Sequence, residues 1–270
     1  MKATTAIGMV AALAMLLLAV LMEGGQLASL VNVPAFVIVG GGTFGATLAS
    51  TSFTLAKSMP KLALLAIKGE EVQSTGVVGT MVRLSEKARR EGVLALEDEL
   101  QHIEDPFMRK GLQLVVDGAD SEILQAILTA EIDATAQRHQ RNAQLFQIAG
   151  GFAPTLGILG TVLSLVHVLE NLSTPSTLGH SIAGAFLATL YGVGSANLIL
   201  LPIANRLRDI SAREVAYREL LLEAILSIQA GDNPRMLEEK LQSFLAPAER
   251  EEASARQPAQ AADALAREAA

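Results

Sequence analysis

The chain has 270 residues, 50% of them hydrophobic, with a mean hydropathy of +0.37 and a net charge of −7. It has no Cys and no Trp. That hydrophobicity exceeds what a soluble domain of this length shows, the missing Cys excludes disulfides and thiolate metal sites, and the lack of a bulk basic surface sets nucleic acid aside as a partner.

Residues Thr4 to Met22 form a first apolar run behind Lys2. A basic residue ahead of an apolar core is also the layout of a cleaved signal peptide. Against that layout, the run is long, and a second run, Leu30 to Ser52, follows after a short loop. The second run contains Gly40-Gly41-Gly42 and Gly45, small residues that let helices approach closely in lipid. Two further runs, Phe146 to Leu169 and Ile182 to Ala204, flank a polar loop from Glu170 to His180. A helix needs about 20 residues to cross ~30 Å of hydrocarbon, so four spans are expected. Neither of the last two runs carries Asp, Glu, Lys or Arg in its middle.

Charge placement orients the spans. The loops Glu23–Asn32 and Glu170–His180 contain no Lys or Arg. Lys57, Lys61 and Lys68 follow the second run, Arg138 and Arg141 precede the third, and Arg206, Arg208 and Arg213 follow the fourth. The positive-inside rule puts both termini and the central segment in the cytoplasm. The expected fold is all-α: a multi-pass membrane protein with four transmembrane helices and a helical cytoplasmic domain. The expected divisions are 1–53 for two spans, 54–145 for a cytoplasmic head, 146–205 for two spans, 206–246 for amphipathic helices and 247–270 for a disordered tail. Within the head, Met81, Leu84 and Ala88 mark a helix stopping near Gly92, and Leu94 to His102 a second, ended by Asp105-Pro106. Asp120-Ser121 opens a third, with Leu124, Ile127, Leu128 and Ile132 on one face, running unbroken into the third span. After the fourth span, Leu207 to Gln229 is amphipathic, and Asn233-Pro234 opens a last helix to Phe244. The tail is Ala, Glu, Arg and Gln with almost no large apolar residue.

The chemistry-bearing pattern lies in the last two spans. Gly157, Thr161 and Ser164 share one face of the third helix. Ala185, Thr189, Gly192 and Ala196 share one face of the fourth. Such small faces are packing seams, and each also carries a hydroxyl, Thr161 and Thr189, that can act as an oxygen ligand at membrane depth. A threonine can equally satisfy itself on its own i−4 carbonyl. Pro154, near the start of the third span, and Pro202, at the end of the fourth, are either kinks that fit a bundle or hinges. Cation pathways use a buried carboxylate to offset dehydration, and no span here holds one near its middle. Two hydroxyl-bearing faces without a carboxylate are half of an ion site, and a second polypeptide would have to supply the rest. No nucleophile–base pair, phosphate loop or metal-ligand cluster is visible, so neither an enzyme nor a cofactor is expected.

Four segments carry a family resemblance. Ala153-Pro154-Thr155-Leu156-Gly157-Ile158-Leu159-Gly160-Thr161 resembles the third-helix motif of the MotA/PomA subunits of flagellar motor stators. Ala188-Thr189-Leu190-Tyr191-Gly192, with Ala196-Asn197 and Leu201-Pro202-Ile203-Ala204, is similar to their fourth helix. The second run from Val33 to Thr43, and Ile228 to Arg235, resemble further family segments. The resemblance covers roughly residues 5 to 246. It implies a homo-pentamer around a B-type (MotB/PomB-like) partner that supplies the ion-binding Asp, with H+ or Na+ as the transported ion and Thr161, Thr189, Pro154 and Pro202 along its path. It also implies contact between the head and a FliG-like rotor protein through the positions matching Arg89, Arg90 and Glu97. Sodium-driven members have a second Thr where this chain has Ala188, a departure that weighs against sodium and leaves proton use open. An ExbB/TolQ-type energiser would have three spans, with its large loop after the first. A membrane scaffold or self-contained carrier would need an ionisable residue inside its own helices or a ligand cleft.

Overall fold

The computed structural model describes residues 4–69, 74–170, 175–245 and Arg250, and every regular element among them is helical. Apart from Arg250, the tail 247–270 lies outside the described residues. The first span, α1 (Thr4–Met22), follows the apolar run from end to end. The second, α2 (Val33–Ser50), starts at Val33 rather than Leu30. Leu27–Leu30 form a separate 3₁₀ turn, and Asn32 opens α2 by accepting from the Ala35 N–H at 3.0 Å, with Pro34 in the first turn. Within α2, Val37–Gly41 widens to a π turn. Two short helices follow, α3 (Phe53–Lys57) and α4 (Met59–Lys68). The Ser52 hydroxyl caps α3, and α4 stops at Gly69, whose φ of +62° suits a residue without Cβ.

The long helix α8 (Ser121–Glu170) runs 50 residues without a break, as expected for a helix that opens at Ser121 and continues into the third span, and Pro154 lies inside it. The next long helix, α9 (175–230), corrects an expectation. Pro202 does not end it. Instead Ala196–Leu200 form a π turn, and the helix resumes at Leu201 and continues to Ala230. A proline lacks the N–H for a helical bond, and a π turn shifts the bonding register at that point, so the axis passes through. Leu207 to Gln229 is therefore the far end of the fourth span's helix rather than a separate element.

The contacts divide the chain into two units. One comprises residues 1–70 and 138–211, the other residues 71–137 and 212–270. The first unit holds the spans, and α3 and α4 group with it. Leu62 and Ala66 of α4 pack against Ala143, Leu145 and Phe146 of α8 and Ile203, Ala204 and Leu207 of α9. By contrast α1 buries no residue, and an apolar cavity of about 780 Å³ lies between it, α2 and α9.

The second unit is a leucine-rich core. α5 (Ser74–Glu91) supplies Met81 and Leu84, and the chain turns at Gly92, φ +89°. The expected helix at Leu94–His102 is a 3₁₀ turn, Val93–Leu96, followed by the single turn α6 (Glu97–Leu100). Asp105-Pro106 then opens a helix that the sequence reading passed over, α7 (Pro106–Val116). The Asp105 carboxylate accepts from the Met108 N–H at 2.8 Å, and proline fits the first position, where no N–H is needed. Leu124, Leu128 and Ile132 of α8, Leu220, Leu221, Ile225 and Ile228 of α9, and Leu237 and Leu241 of α10 (Pro234–Gln242) close the same core. Asn233 caps α10 through the Arg235 N–H at 3.0 Å. The Arg218 guanidinium donates to the Thr135 hydroxyl at 2.6 Å, pairs with Glu214, and stacks 5.6 Å from the Phe107 ring centroid.

Candidate ion-path site

The third and fourth spans meet backbone to backbone. A Cβ built on Gly157 would stand 2.8 Å from the Ala188 carbonyl oxygen and 3.2 Å from the Cα atoms of Thr189 and Gly192. One built on Gly192 would strike the Ala153 carbonyl. No side-chain rotation relieves contacts with backbone atoms, so these positions require glycine. The proximity is what the two small faces imply, because van der Waals contact and hydrogen bonds drive helix association in lipid. Ala188 is fully buried in a cluster with Ala35 and Val39, and Tyr191 packs against it.

One turn beyond Gly157 the same seam brings both threonines together. The Thr161 hydroxyl lies 3.0 Å from its own i−4 carbonyl, Gly157, 3.0 Å from the Ala185 carbonyl of the facing helix and 2.5 Å from the Thr189 hydroxyl. Thr161 thus bonds back on its own helix and also reaches across. It has a single proton and three acceptors in range, so lone pairs remain over in the group. The cluster is neutral and rich in oxygen. It can replace part of a cation's hydration shell but offers no charge to offset dehydration. Among the described residues, no group of His, Cys, Asp and Glu could hold a metal ion. His167, further along α8, is exposed and lies 3.9 Å from the Glu170 carboxylate.

Pro154 and Pro202 are not part of this cluster. Pro154 lies near the Gly157–Gly192 contact, half-buried within unbroken helix. Pro202 lines a cleft with Thr4, Gly8 and Asn197 just past the π turn. The sequence reading missed Tyr191. Its hydroxyl donates to the Leu30 carbonyl and accepts from the Asn32 N–H at 2.9 Å, tying the entry to α2 onto the fourth span. A tyrosine inside an otherwise apolar run was the available signal, since a buried phenol needs a partner.

In the second unit, Arg89 and Arg90 stand exposed on the last turn of α5 and Glu97 exposed at the start of α6. Arg90 lies 3.9 Å from Glu86, a solvated pair. The better-formed pair beside them was also missed: Lys87 donates to Glu99 at 2.8 Å, and Arg83 lies 3.9 Å from the same carboxylate. The hydrogen bond from Lys87 holds the Glu99 carboxyl below its usual range, and the same bond raises the Lys87 ammonium. Between them Leu94 projects into solvent at 69% exposure, an apolar tip flanked by charges of both signs.

Known proteins resemble this chain in sequence and fold. The profile described as the MotA/TolQ/ExbB proton channel family matches residues 99–220, and that of the motility protein A N-terminal region matches residues 6–92. Motility protein A of Borreliella burgdorferi is 42% identical over 209 residues, covering 77% of this chain and 80% of that protein. The chain superposes on the structure of C. jejuni MotAB with a TM-score of 0.87 at 28% identity, covering 92% of this chain and 97% of that one. On the flagellar MotAB stator complex of Bacillus subtilis the TM-score is 0.86 at 34% identity, covering 92% and 98%. The chain is a multi-pass membrane protein that belongs to the motility protein A branch of the MotA/TolQ/ExbB proton channel family.

Proposed function

We propose that this chain is the ion-conducting A-type subunit of a bacterial flagellar stator, converting ion flow into torque together with a B-type partner. The observation that carries the reading is the neutral oxygen cluster of Thr161, Thr189 and Ala185 in spans that hold no carboxylate near their middle. Such a cluster conducts only when a second chain brings the counter-charge. A MotB-like helix with one Asp, standing beside the seam, supplies it. Moving one charge through the membrane releases about 2.3 kcal/mol per 100 mV, so the ion must be bound weakly enough to leave again. Two hydroxyls beside one carboxylate meet that demand better than a second fixed charge would.

In this reading five copies surround two partner helices in the inner membrane, with both termini cytoplasmic. The exposed Arg89, Arg90 and Glu97 face a FliG-like rotor protein. The transported ion, H+ or Na+, is the cargo, and no resident cofactor is involved. Reconstitution tests the proposal. Purified alone, the chain should pass no H+ or Na+ in liposomes. Co-expressed with a single-span B-type subunit, it should co-purify as a 5:2 complex and restore motility to cells lacking their own stator. Sustained cation flux through the chain alone would overturn it.

A further inference from the structure

The segment from Phe53 to Lys68 plays no part in the ion path, yet its chemistry is distinctive. It holds three lysines and no acidic residue. Its inner face is spoken for: Leu62 and Ala66 bury against Ala143 and Phe146 of α8 and Ile203 and Leu207 of α9. Those are the residues at which α8 enters and α9 leaves its apolar run, so α4 lies at the depth where hydrocarbon gives way to headgroups. On the opposite face Lys61, Leu64 and Lys68 recur at i, i+3 and i+7. Leu64 is 50% exposed there, and Phe53, the first residue of α3, is 72% exposed.

Among the described residues, no acidic side chain lies within 4.0 Å of Lys57 or Lys61. The basic residues nearby on α9 are already engaged, Arg206 by Asp209 at 2.6 Å and Arg208 by Gln147. An outward face of free ammonium groups beside exposed apolar side chains matches a helix lying in a membrane interface, with apolar groups sunk toward the acyl chains and lysine stems reaching up to charge.

We infer that α3 and α4 form a docking surface for anionic phospholipid headgroups, with Lys57 and Lys61 holding the phosphates of the adjoining leaflet. The surface is independent of the ion path. Basic residues at an anionic bilayer surface each strengthen association about fivefold, and the attraction between exposed charges is screened by salt. Glu70 and Glu71 follow Lys68 in the chain, so Lys57 and Lys61 are the cleaner probes.

The test uses the full chain reconstituted in mixed phosphatidylcholine–phosphatidylglycerol bilayers. Spin-labelled forms of the two lipids report the fraction held at the protein surface. Phosphatidylglycerol should be preferred several-fold at low salt, and the preference should fall toward unity at ~0.5 M salt, where the screening length is only a few ångströms. Lys57→Gln with Lys61→Gln should remove most of it, whereas Lys57→Arg with Lys61→Arg should keep it. Helix content, measured on every variant, confirms that the glutamine form is folded. A preference unchanged in the folded glutamine variant, or no preference in the parent protein, would overturn the assignment. So would lysines found shielded by a bound acidic protein rather than by lipid.

Discussion

The spans and the head of this protein are both helical, but they are held together by opposite means. In the head, Leu124, Leu128, Leu220, Leu221 and Ile225 fill a core with large side chains at under 2% exposure. Water exclusion drives that packing. In the spans Gly157 and Gly192 remove side chains altogether, so that backbones touch. Surrounding lipid is as apolar as leucine, so a large side chain at the seam would gain little by burial there. The two candidate sites differ in the same sense. Exposed charges stand on the head's surface, whereas the seam between spans presents uncharged oxygens. A charge is tolerated where water reaches it. Inside the membrane, in the proposed function, the counter-charge would come from a partner only where the ion passes.

The contrast can be broken most severely in the head. Leu128→Ala leaves a void in a close-packed core and should destabilise the head by about 2–5 kcal/mol. Hydrogen exchange would show this as faster exchange of amides in α5, α7 and α10, with little change in α1 and α2. The glycines give the sharpest matched pair. Gly157→Ala drives a methyl into the Ala188 carbonyl and should cost about 1–3 kcal/mol. In the head, Gly111→Ala meets only the ends of the Ile225 and Leu128 side chains, which can turn aside, so its effect should be smaller. Thermal unfolding in detergent ranks the two, and a larger loss at Gly111 would contradict the difference drawn here.

Tyr191→Phe probes the polar tie within the spans. It leaves the Leu30 carbonyl and Asn32 N–H without their partner and should cost about 1–2 kcal/mol. Faster exchange at Asn32 is the readout. The smallest effect belongs to the surface pair. The lowered Glu99 carboxyl contributes stability that is present above its unfolded value of 4.5 and lost as pH falls through its lower folded value. Glu99→Gln should therefore weaken the head at pH 7 by no more than about 0.5 kcal/mol, as befits a partly solvated pair. Head stability compared at pH 7 and pH 3 should show that deficit shrinking in acid.

These features are unevenly legible in the sequence. The four spans are plain because long uncharged runs have no other stable use. The Thr161–Thr189 encounter follows from i, i+4 spacing on two small faces in adjacent helices. The charges at Arg89, Arg90 and Glu97 read as an exposed face, and they are exposed. Local signals with two meanings mislead. Asp105-Pro106 reads as the end of one helix, but the same dipeptide caps and opens α7. Pro202 reads as a stop, yet a π turn absorbs it, and no residue pattern announces a π turn. The remaining misses are encounters at long range. Tyr191 meets Leu30 from 161 residues away, and Lys87 meets Glu99 only because the chain reverses at Gly92. The residues after Ala212 read as amphipathic helices in a division separate from the head, but their Leu and Ile complete the head's core.

The central claim is that the paired hydroxyls serve the ion and not only the packing. It is tested most directly by motor speed under a fixed load, measured against sodium concentration at constant pH, for the parent chain, Thr161→Ala and Thr161→Ser. Loss of an oxygen ligand should slow the alanine motor several-fold, most at low sodium if sodium is the ion and evenly across sodium if it is the proton. The serine motor should run near parental speed, and partner binding should be unchanged in all three. An alanine motor turning at parental speed at every sodium concentration would make Thr161 a packing residue and contradict the claim.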